Sequence, residues 1–483
     1  MTSRTNRRSF IKRSTIAAGA FSLGLPHLLT GCRSPAVLSA RKPSDILDCV
    51  IIGCGGRGST HVEQVLAQKQ NFAALVDPDE KAIASKLKTL EKKGVDTSKI
   101  RTFSDYRVMY DKMGKQLNAA FVAAPNHHHF GASMLALQAG VNVYCEKPLT
   151  HDISEARRLR EAAARYSKVA TQMGNQGHCI GGYHRLCEFI WGGVIGNVTE
   201  THSWTDRANG GVGPRPPALP VPKGIQWDSW IGPAPYRDFH SDLIPHEWHG
   251  WYDFGNGSLG NMGCHVLEGV FWACKGEHVE SVEMEYLRGG SDERYPLGSR
   301  IRYDISARGG MPPMKAYWYE GLNPKAADDK FGGNHAALGA ARNLPPLIAE
   351  LQAKYPDEEL DRGDSGSLYV GDKGIIFTKT YGSDMHILPR DKMDEIKQPA
   401  ETLPRPNPNP FVDFMNTCRA GKTNTATPFE YGARLTEFVL LGNMAQHAGL
   451  ENLVKWDSKA MRVTNHSDLN RWVHVKPRKG WPV

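Results

Sequence analysis

The residues that carry most chemical information are three glycines and an aspartate with the spacing of a nucleotide-binding loop. Gly53, Gly55 and Gly58 form GxGxxG in and after the apolar strand pattern CVIIGC, and Asp77 follows Gly58 by 19 residues at the end of a second apolar strand pattern. The first glycine allows a tight turn, the second lets the backbone approach a pyrophosphate, and the third lets helix pack on strand. A diphosphate then lies on unpaired helix N-terminal amides. Asp77 would accept hydrogen bonds from ribose hydroxyls and repel a 2′-phosphate, so the pattern predicts NAD and makes NADP less favourable.

Alternating strand and helix patterns position this loop. Further strand patterns occupy residues 72–76, 100–103, 119–124, 142–145 and 169–173, and helix patterns occupy 80–93, 130–139 and 154–166, with another starting at 106. Such alternation predicts a doubly wound, mostly parallel sheet with helices on both faces. Ligands bind at the carboxyl ends of such strands. Those ends carry the glycine loop, Asp77, Pro125-Asn126-His127 and Glu146-Lys147-Pro148, so four segments should converge on one crevice.

The pattern changes after residue 175. Strand-like runs fall at residues 198–205, 279–287, 299–306, 315–319, 367–370 and 374–378, with few helices between them. We therefore predict an α/β chain with an N-terminal Rossmann domain and a C-terminal α+β domain whose sheet is open and mainly antiparallel. The expected boundaries are an export segment at 1–31, a linker at 32–44, the Rossmann domain at 45–175, the second domain at 176–432, and a helix and tail at 433–483 that pack back on the Rossmann domain.

The first 31 residues have the composition of an export signal. Five basic residues and no acid precede an apolar run, and Arg7 and Arg8 begin a stretch that resembles the twin-arginine (Tat) pattern. The run ends at Leu29-Thr30-Gly31-Cys32, similar to a lipoprotein box in which Cys32 is acylated. The alternatives are that the segment is a simple membrane anchor, or that an ordinary signal peptidase cleaves the chain after Ala40. We expect a Tat-exported periplasmic protein, either free or anchored to the membrane only through a lipid on Cys32.

Charge and cysteine content narrow the class of partner. The formal charge of +8 falls to +3 without the five basic residues before Cys32, which leaves no strong field for a polyanion, and nucleic acid is not expected as a partner. The eight cysteines after Cys32 form no CxxC pair and no regular framework, so buried reduced thiols are expected, although a disulfide stays open. Adjacent histidines 127–129 point in different directions, and no metal site is predicted.

The stretch from Ala123 to Thr150, AAPNHHHFGASMLALQAGVNVYCEKPLT, resembles the Gfo/Idh/MocA oxidoreductase family. The resemblance continues in GNQGH (174–178), WDSWIGPAPYR (227–237) and GWYDFGNGSLGNMGCHVLE (250–268), and it is closest to an exported, twin-arginine branch. It implies NAD or NADP, sugar or cyclitol substrates, and a homo-oligomer, either dimer or tetramer, formed through the open sheet.

The resemblance also implies roles for individual residues. Lys147 matches the catalytic lysine of the family, and His265 matches the histidine that contacts substrate hydroxyls and shares proton transfer. The residues expected to bind substrate are His178, Asn261, Trp204, Arg207, Trp248 and Glu268, with His249 and Trp251 also flanking the crevice. The residues expected to bind the cofactor are Gly53, Gly55, Gly56, Arg57, Gly58, Asp77, Pro125, Asn126, His127, Glu146, Lys147 and Gln176. His128 and His129 are expected at a helix start or on the surface.

One residue departs from the family pattern. Members usually carry an aspartate four residues before the histidine, where this chain has Asn261. An asparagine can orient an imidazole or a hydroxyl but cannot accept a proton, so Lys147 and His265 must carry the proton transfer. Glu268 replaces another frequent aspartate and could compensate in part.

Three functions are compatible with these residues. The first is an exported NAD-dependent oxidoreductase that acts on the CH–OH group of a sugar, glycoside or cyclitol and holds its nucleotide tightly, because Tat moves folded proteins already loaded with cofactor. The second is a glycosidase that uses NAD for transient oxidation and elimination. The third is a carbohydrate-binding lipoprotein that has lost catalysis. This hypothesis rests on Asn261, which replaces the usual aspartate, and on Cys32, which ends the lipoprotein-like box.

Overall fold

The computed structural model describes residues 44–321, 343–360 and 365–481. The predicted export segment, Cys32 and nearly all of the linker lie outside these ranges. Among the described helices, none combines the length and the apolar character needed to cross a bilayer.

The N-terminal sheet has six parallel strands in the order β3-β2-β1-β4-β5-β6. The strands are β1 (Asp48–Ile52), β2 (Asn71–Val76), β3 (Arg101–Phe103), β4 (Ala119–Val122), β5 (Asn142–Cys145) and β6 (Thr171–Met173). The helices between them are α1 (Gly56–Ala67), α2 (Glu80–Lys92), α3 (Tyr106–Met113), α4 (Asn126–Gln138) and α5 (Ile153–Arg165). The chain proceeds outward in opposite directions from β1 and from β4, which are neighbours in the sheet. The connections that follow these two strands therefore diverge and leave a crevice at the carboxyl edge. The predicted Rossmann domain is confirmed.

Helix starts in this domain are set by local side chains. Asp79 and Asp105 accept hydrogen bonds from the amides of Lys81 and Arg107, at the starts of α2 and α3. Asp152 forms a capping box with Glu155 at the start of α5. These caps satisfy amides that would otherwise lack partners and fix where each helix leaves the sheet edge.

The second domain is built on nine strands in the order β13-β12-β11-β7-β10-β9-β8-β14-β15. They are β7 (Val198–Thr205), β8 (Val279–Arg288), β9 (Gly298–Ile305), β10 (Met314–Glu320), β11 (Ser365–Gly371), β12 (Gly374–Lys379), β13 (His386–Ile387), β14 (Val454–Asp457) and β15 (Arg462–Val463). β7 and β10 pair in parallel, and the other neighbouring pairs are antiparallel. The predicted open, mainly antiparallel sheet is therefore confirmed.

Ten further helices follow β6 in the described residues. They are α6 (Gly177–Ile180), α7 (Gly182–Trp191), α8 (Trp227–Ile231), α9 (Gly257–Val266), α10 (Glu268–Trp272), α11 (Pro346–Lys354), α12 (Lys392–Glu395), α13 (Pro410–Arg419), α14 (Phe429–Ala448) and α15 (Asn470–Val473).

Helix α14 joins the two domains. It packs on α5 and β6 of the first domain and on β8 and α9 of the second. Thr436 Oγ1 accepts the amide of Leu149 at 3.0 Å, and Arg157 forms an ion pair with Glu437. Its apolar residues belong to the same core cluster as those of both sheets. The chain after α14 adds β14 and β15 to the second sheet, which the sequence patterns did not predict.

Candidate active site

A cavity of about 930 Å³ lies at the carboxyl edge of the parallel sheet. Its wall combines the ends of β1, β2, β4 and β5 with parts of residues 222–249, helix α9, Tyr381 and Trp481. The predicted site residues that line it are Gly53, Gly55, Gly56, Arg57, Asp77, Pro125, Asn126, Glu146, Lys147, Gln176, Trp248, Asn261 and His265. The four predicted segments thus converge on one crevice.

The glycine loop has the shape that a dinucleotide requires. A Cβ on Gly53 would come within 2.7 Å of the backbone of Ala123, and one on Gly58 would lie 1.9 Å from the carbonyl oxygen of Gly53. A Cβ on Gly55 or Gly56 would meet nothing within 4 Å, so these two residues face open space. The loop is therefore tight on its protein side and open on its cavity side. Helix α1 begins there at Gly56 without a side-chain cap, an arrangement that fits a diphosphate.

Asp77 is held at the end of β2 by two backbone amides. Its Oδ2 accepts the amide of Cys54 at 2.7 Å and its Oδ1 accepts the amide of Asp79 at 2.9 Å. Burial raises the pKa of Asp77 to about 6, and the amide hydrogen bonds limit that rise. Each carboxylate oxygen retains a lone pair for a ribose hydroxyl. Asp79 and Asp105 also line this end of the cavity, and Asp105 is paired with Arg107.

Glu146 ties the glycine loop to the end of β5. Its Oε1 accepts hydrogen bonds from Arg57 Nε at 2.8 Å and from His61 Nε2 at 2.9 Å. Burial acts to raise the pKa of Glu146, but the charge of Arg57 and the bond from His61 hold it below its usual range. Gln176, with its amide oxygen turned toward Arg57, completes this group. The ion pair therefore fixes the neighbouring Lys147 relative to the loop.

Lys147 is half-buried and directed at helix α9. Its Nζ donates to the backbone oxygen of Asn261 at 2.7 Å and to Asn261 Oδ1 at 3.1 Å. Burial lowers the pKa of Lys147, which Glu146 partly restores. Asn261 Nδ2 donates to Asn209 Oδ1 at 2.9 Å, so the asparagine presents oxygen to the lysine. An amine with a lowered pKa beside neutral acceptors is suited to proton transfer.

His265 lies in the same wall, one turn after Asn261. Its side chain is buried, and Nδ1 is 3.2 Å from Oδ1 of Asn175. Burial, followed by the positive charge of Lys147, holds the pKa of His265 well below its usual value. The imidazole is therefore neutral at pH 7 and has a lone pair to offer.

An aromatic wall faces the lysine and histidine. The rings of Trp248 and His249 stack with centroids 3.6 Å apart, and His246 stacks on His249 at 4.3 Å. All three residues line the cavity. Stacked rings with polar tips suit the CH faces and hydroxyls of a sugar or cyclitol.

Tyr381 is a site residue that the sequence analysis missed. It lines the cavity with its ring centroid 4.9 Å from that of His265, and its backbone is left-handed at φ 66°. Gly182 and Tyr183 pack against the following Gly382, and the Tyr183 hydroxyl donates to the carbonyl of His265 at 2.6 Å. No pattern in the sequence indicates a left-handed tyrosine, and its place beside His265 results from tertiary packing alone.

Trp230, His246 and Trp481 also line the cavity without having been predicted. They come from a long loop and from the tail, which lack periodicity. Only the WDSW motif around Trp230 offered a signal, and the sequence analysis did not use it for the site.

Several predicted site residues lie outside the cavity lining. Trp204 belongs to a separate core cluster with Leu368 and Phe377. His178 and Glu268 bond to each other at 2.6 Å behind His265. The remaining residues in this group are Gly58, His127, Arg207 and Trp251.

These placements have physical reasons. Trp204 faces the apolar side of β7, and Trp251 is fully buried with its Nε1 donating to the carbonyl of Asp242. The two ring nitrogens of His127 lie within 3.3 Å of the carbonyl oxygens of Trp230 and Phe254. The imidazole therefore connects the first domain to the second. Gly58 is packed on Gly53. Arg207 lies outside the cavity lining, but its positive charge still lowers the pKa of Lys147.

His128 and His129 lie at a helix start, one of the two positions predicted for them, and not on the surface. Both residues lie at the start of α4 as expected, but both are buried and both line the cavity. His128 Nε2 bonds the carbonyl of Trp230 at 2.8 Å, and His129 bridges the carbonyls of Ala124 and Pro148. His128 therefore satisfies a carbonyl of the covering loop (residues 222–249), and His129 satisfies two carbonyls of the first domain. In the part of the chain that the structure describes, no group of three or more His, Cys, Asp or Glu could hold a metal, and the eight cysteines are buried and unpaired.

Residues 47–174 match the family model described as oxidoreductase family, NAD-binding Rossmann fold, and residues 199–289 match that of its C-terminal alpha/beta domain. The inositol 2-dehydrogenase of Renibacterium salmoninarum is 27% identical over 163 residues, which are 32% of this chain and 45% of that protein. An uncharacterized oxidoreductase of Streptococcus pneumoniae is 31% identical over 156 residues, 31% of this chain and 39% of that protein. The alignments thus span less than half of these curated relatives.

A solved structure, the WlbA dehydrogenase from Bordetella pertussis in complex with NADH and UDP-GlcNAcA, is similar in fold. Its TM-score is 0.52 at 12% identity, with 85% of this chain and 99% of that chain covered. At this identity the likeness supports the two-domain fold.

Proposed function

The chain belongs to the Gfo/Idh/MocA family of oxidoreductases, and from the site that it builds we propose that it transfers hydride between NAD and a carbinol carbon of a sugar, glycoside or cyclitol. The observation that carries the proposal is a single cavity with a glycine cradle at one end and Lys147 and His265 at the other. Bound NAD supplies the hydride acceptor. The protein supplies binding, orientation and a path for the hydroxyl proton.

The proton path involves two groups because the usual acid is absent. Lys147 is directed at Asn261, whose oxygens can orient the amine but cannot take its proton. His265 is neutral and lines the same wall. We assign Lys147 to hold and polarise the reacting oxygen, and His265 to take part in the transfer of its proton. General acid–base groups of this kind contribute about 10²–10⁴-fold in rate.

The substrate class follows from the opposite wall. Trp248, His246 and His249 form a stacked surface, and Ser241 lines the cavity beside them. Apolar CH faces with hydroxyls at the rim match such a surface. The curated relative from Renibacterium salmoninarum acts on inositol, which agrees with this class.

We also propose Tat-dependent export to the periplasm, with acylation at Cys32 as one processing outcome, and homo-oligomerisation through the open sheet. Arg7 and Arg8 support the first part. A protein that folds before export must carry its nucleotide with it, so NAD should stay bound through purification and be recycled in place.

The test is a screen of cyclitols, sugars and glycosides against purified holoprotein, in which nucleotide absorbance and carbohydrate products are followed together. A keto product with reduced nucleotide supports the proposal. Release of an aglycone with unchanged nucleotide would instead identify the NAD-dependent glycosidase, and binding without turnover would identify a carbohydrate-binding protein.

Lys147→Ala should lower kcat by about 10²-fold or more, because the group that holds the reacting oxygen is lost. Lys168→Ala, at an exposed lysine, is the matched control and should leave kcat unchanged. Unchanged turnover in Lys147→Ala would remove this lysine from the mechanism.

A further inference from the structure

The imidazole of His265 is oriented from behind by a buried amide. Nδ1 of His265 lies 3.2 Å from Oδ1 of Asn175, and Asn175 is fully buried. An imidazole nitrogen can be donor or acceptor according to its tautomer, so the role of Nδ1 depends on which end of the amide faces it.

The other contacts of Asn175 settle that orientation. Its Nδ2 donates to Oε2 of Glu268 at 2.9 Å and to the carbonyl oxygen of Cys264 at 3.1 Å. A carboxylate and a carbonyl only accept hydrogen bonds, so the NH₂ group must face them. The amide oxygen is then left for His265. Because an amide oxygen only accepts, Nδ1 must carry the hydrogen.

Glu268 is itself held in place. Its Oε1 accepts from His178 Nδ1 at 2.6 Å and from the Tyr431 hydroxyl at 3.0 Å. A Cβ on Gly177 would lie 3.1 Å from Oε2, so this glycine leaves just enough room for the carboxylate. The glutamate is fully buried and its two oxygens are committed to these partners. It therefore acts on the active site only through Asn175.

We propose that Asn175 and Glu268 are positioning residues that lock neutral His265 in the tautomer with hydrogen on Nδ1, so that Nε2 presents a lone pair to the cavity and accepts the hydroxyl proton of the substrate. This rests on the proposed function. The O–H bond breaks, its proton joins Nε2 and its electron pair forms the C=O bond, while the adjacent C–H bond breaks with loss of hydride, for which bound NAD would be the acceptor. The assignment explains how the site works with an asparagine at position 261.

The charges that face His265 come from three elements. Lys147 and Glu146 follow β5, and Arg57 lies in α1, with the Tyr381 ring against the imidazole edge. Lys147 and Arg57 oppose a positive charge on the ring, and Glu146 favours one but is paired with Arg57. These charges therefore favour loss of the proton from the imidazolium formed during turnover.

Nitrogen NMR of histidine-labelled protein, without substrate, measures the tautomer directly. In the wild type we expect His265 to be neutral at pH 7 with hydrogen on Nδ1. Tyr431→Phe, which removes only the outermost hydrogen bond, should leave the tautomer unchanged. Glu268→Ala removes one of the two acceptors that orient the amide of Asn175, leaves only the Cys264 carbonyl, and should therefore mix the two tautomers. Hydrogen on Nε2 in the wild type, or no change in Glu268→Ala, would overturn the proposal.

The double variant Asn175→Asp with Glu268→Gln tests the link to proton transfer. It moves the negative charge one residue toward His265 and keeps nearly the same set of hydrogen bonds. The carboxylate beside Nδ1 favours the imidazolium, so the pKa of His265 and the acid limb of kcat/KM should both rise by about 1–3 pH units. A raised pKa with an unmoved acid limb would exclude His265 as the proton acceptor. Absence of turnover in the wild type would count against the proposed function, whereas the NMR result would still decide the tautomer.

Discussion

Burial in the fold favours the uncharged form of Asp77, whereas binding of a ribose favours the charged form. Because its pKa in the folded state is about 6, above the ordinary 3.8, the folded protein binds this proton more tightly than the unfolded chain. Ionised Asp77 therefore destabilises the fold above pH 6, and the penalty fades as the pH falls toward 4. The charge is retained because ribose hydroxyls need an acceptor and a 2′-phosphate must be repelled.

Replacing Asp77 with Asn removes this titration. As the pH falls from 7 to 4, the wild-type apoprotein should gain about 1–3 kcal/mol of unfolding free energy relative to Asp77→Asn. Denaturant unfolding at a series of pH values measures the difference, with Asp111→Asn at an exposed acid as control. A difference that stays constant over this range would contradict the raised pKa.

Tyr381 is the residue at which backbone strain and the site coincide. A left-handed tyrosine costs on the order of 1 kcal/mol, which the packing of Gly182 and Tyr183 offsets. Tyr381→Gly should leave stability unchanged or raise it by about 1 kcal/mol, yet lower kcat/KM, because His265 loses the ring against its edge. Tyr381→Phe keeps the ring and isolates the hydroxyl. Wild-type kcat/KM in Tyr381→Gly would show that the ring has no part in the reaction.

Some residues of the site could be predicted from sequence patterns, whereas the role of others depends on contacts that only the folded chain makes. The glycines, Asp77 and Lys147 occur at strand ends or in motifs, so their spacing alone placed them on one edge of the sheet. Asn175 could be located by its motif, but its role depends on which way a buried amide turns. That choice is set by Cys264 and Glu268, which lie 89 and 93 residues away in the chain.

At the scale of elements, the first strand, the glycine loop and α1 work as one unit. The two glycines Gly55 and Gly58 have different tasks in it, since one faces the cavity and the other packs on Gly53. Gly55 also has φ −81°, which any residue adopts, so an alanine there strains nothing.

Gly55→Ala and Gly58→Ala therefore form a matched pair. Gly55→Ala should keep the stability of the apoprotein but weaken NAD binding by tenfold or more, since its methyl group occupies the place of the diphosphate, at a cost of about 1.4 kcal/mol or more. Gly58→Ala should lower stability itself, because its methyl group meets the Gly53 carbonyl at 1.9 Å. Calorimetric titration with NAD and thermal unfolding separate the two effects. Equal loss of stability in both variants would contradict the assignment.

The type of a secondary-structure element could be predicted where its apolar periodicity was strong. The first and last residues of an element could not be predicted reliably. Strand β7 has the predicted bounds, but α4 begins at Asn126 rather than Phe130 because the covering loop buries the three histidines of its first turn. Helix α14 begins at Phe429, directly after Pro428. The short β14 and β15 carry no periodic signal, and they become strands only because the edge of β8 is available to pair with them.

At the scale of the whole molecule, the cavity is closed by parts of the chain that lie far apart in sequence. Residues 222–230 bond to the loop after β2, where Glu80 donates its amide to the Gly224 carbonyl at 3.0 Å and Gln226 donates to that of Pro78 at 2.8 Å. The tail then crosses both domains. Arg478 donates to the carbonyl of Pro233 and pairs with Asp228, which fixes the tail to the covering loop.

Near residue 481 the tail reaches the cavity beside Tyr106. Trp481 is 4% exposed and lines the wall together with Tyr106. The Arg107 guanidinium lies 3.4 Å from the centre of its ring and donates to the Gly480 carbonyl at 2.7 Å. A cation over an indole face contributes roughly 0.5–2 kcal/mol, enough to hold a short tail in place. The tail therefore covers the part of the cavity wall that Tyr106 forms.

Trp481→Ala should accordingly speed the release of NAD about fivefold to tenfold, the effect of losing roughly 1 kcal/mol of contact. Hydride transfer within the loaded protein should not change, because Trp481 lies at the Asp77 end of the cavity rather than beside Lys147. Dilution of holoprotein preloaded with reduced nucleotide, followed by fluorescence, gives the release rate, and single-turnover measurements give the transfer rate. Trp191→Ala, at a tryptophan that is 42% exposed and outside the cavity lining, serves as the control. Release at the wild-type rate would mean that residues 222–230 alone retain the nucleotide and that the tail only joins the two domains.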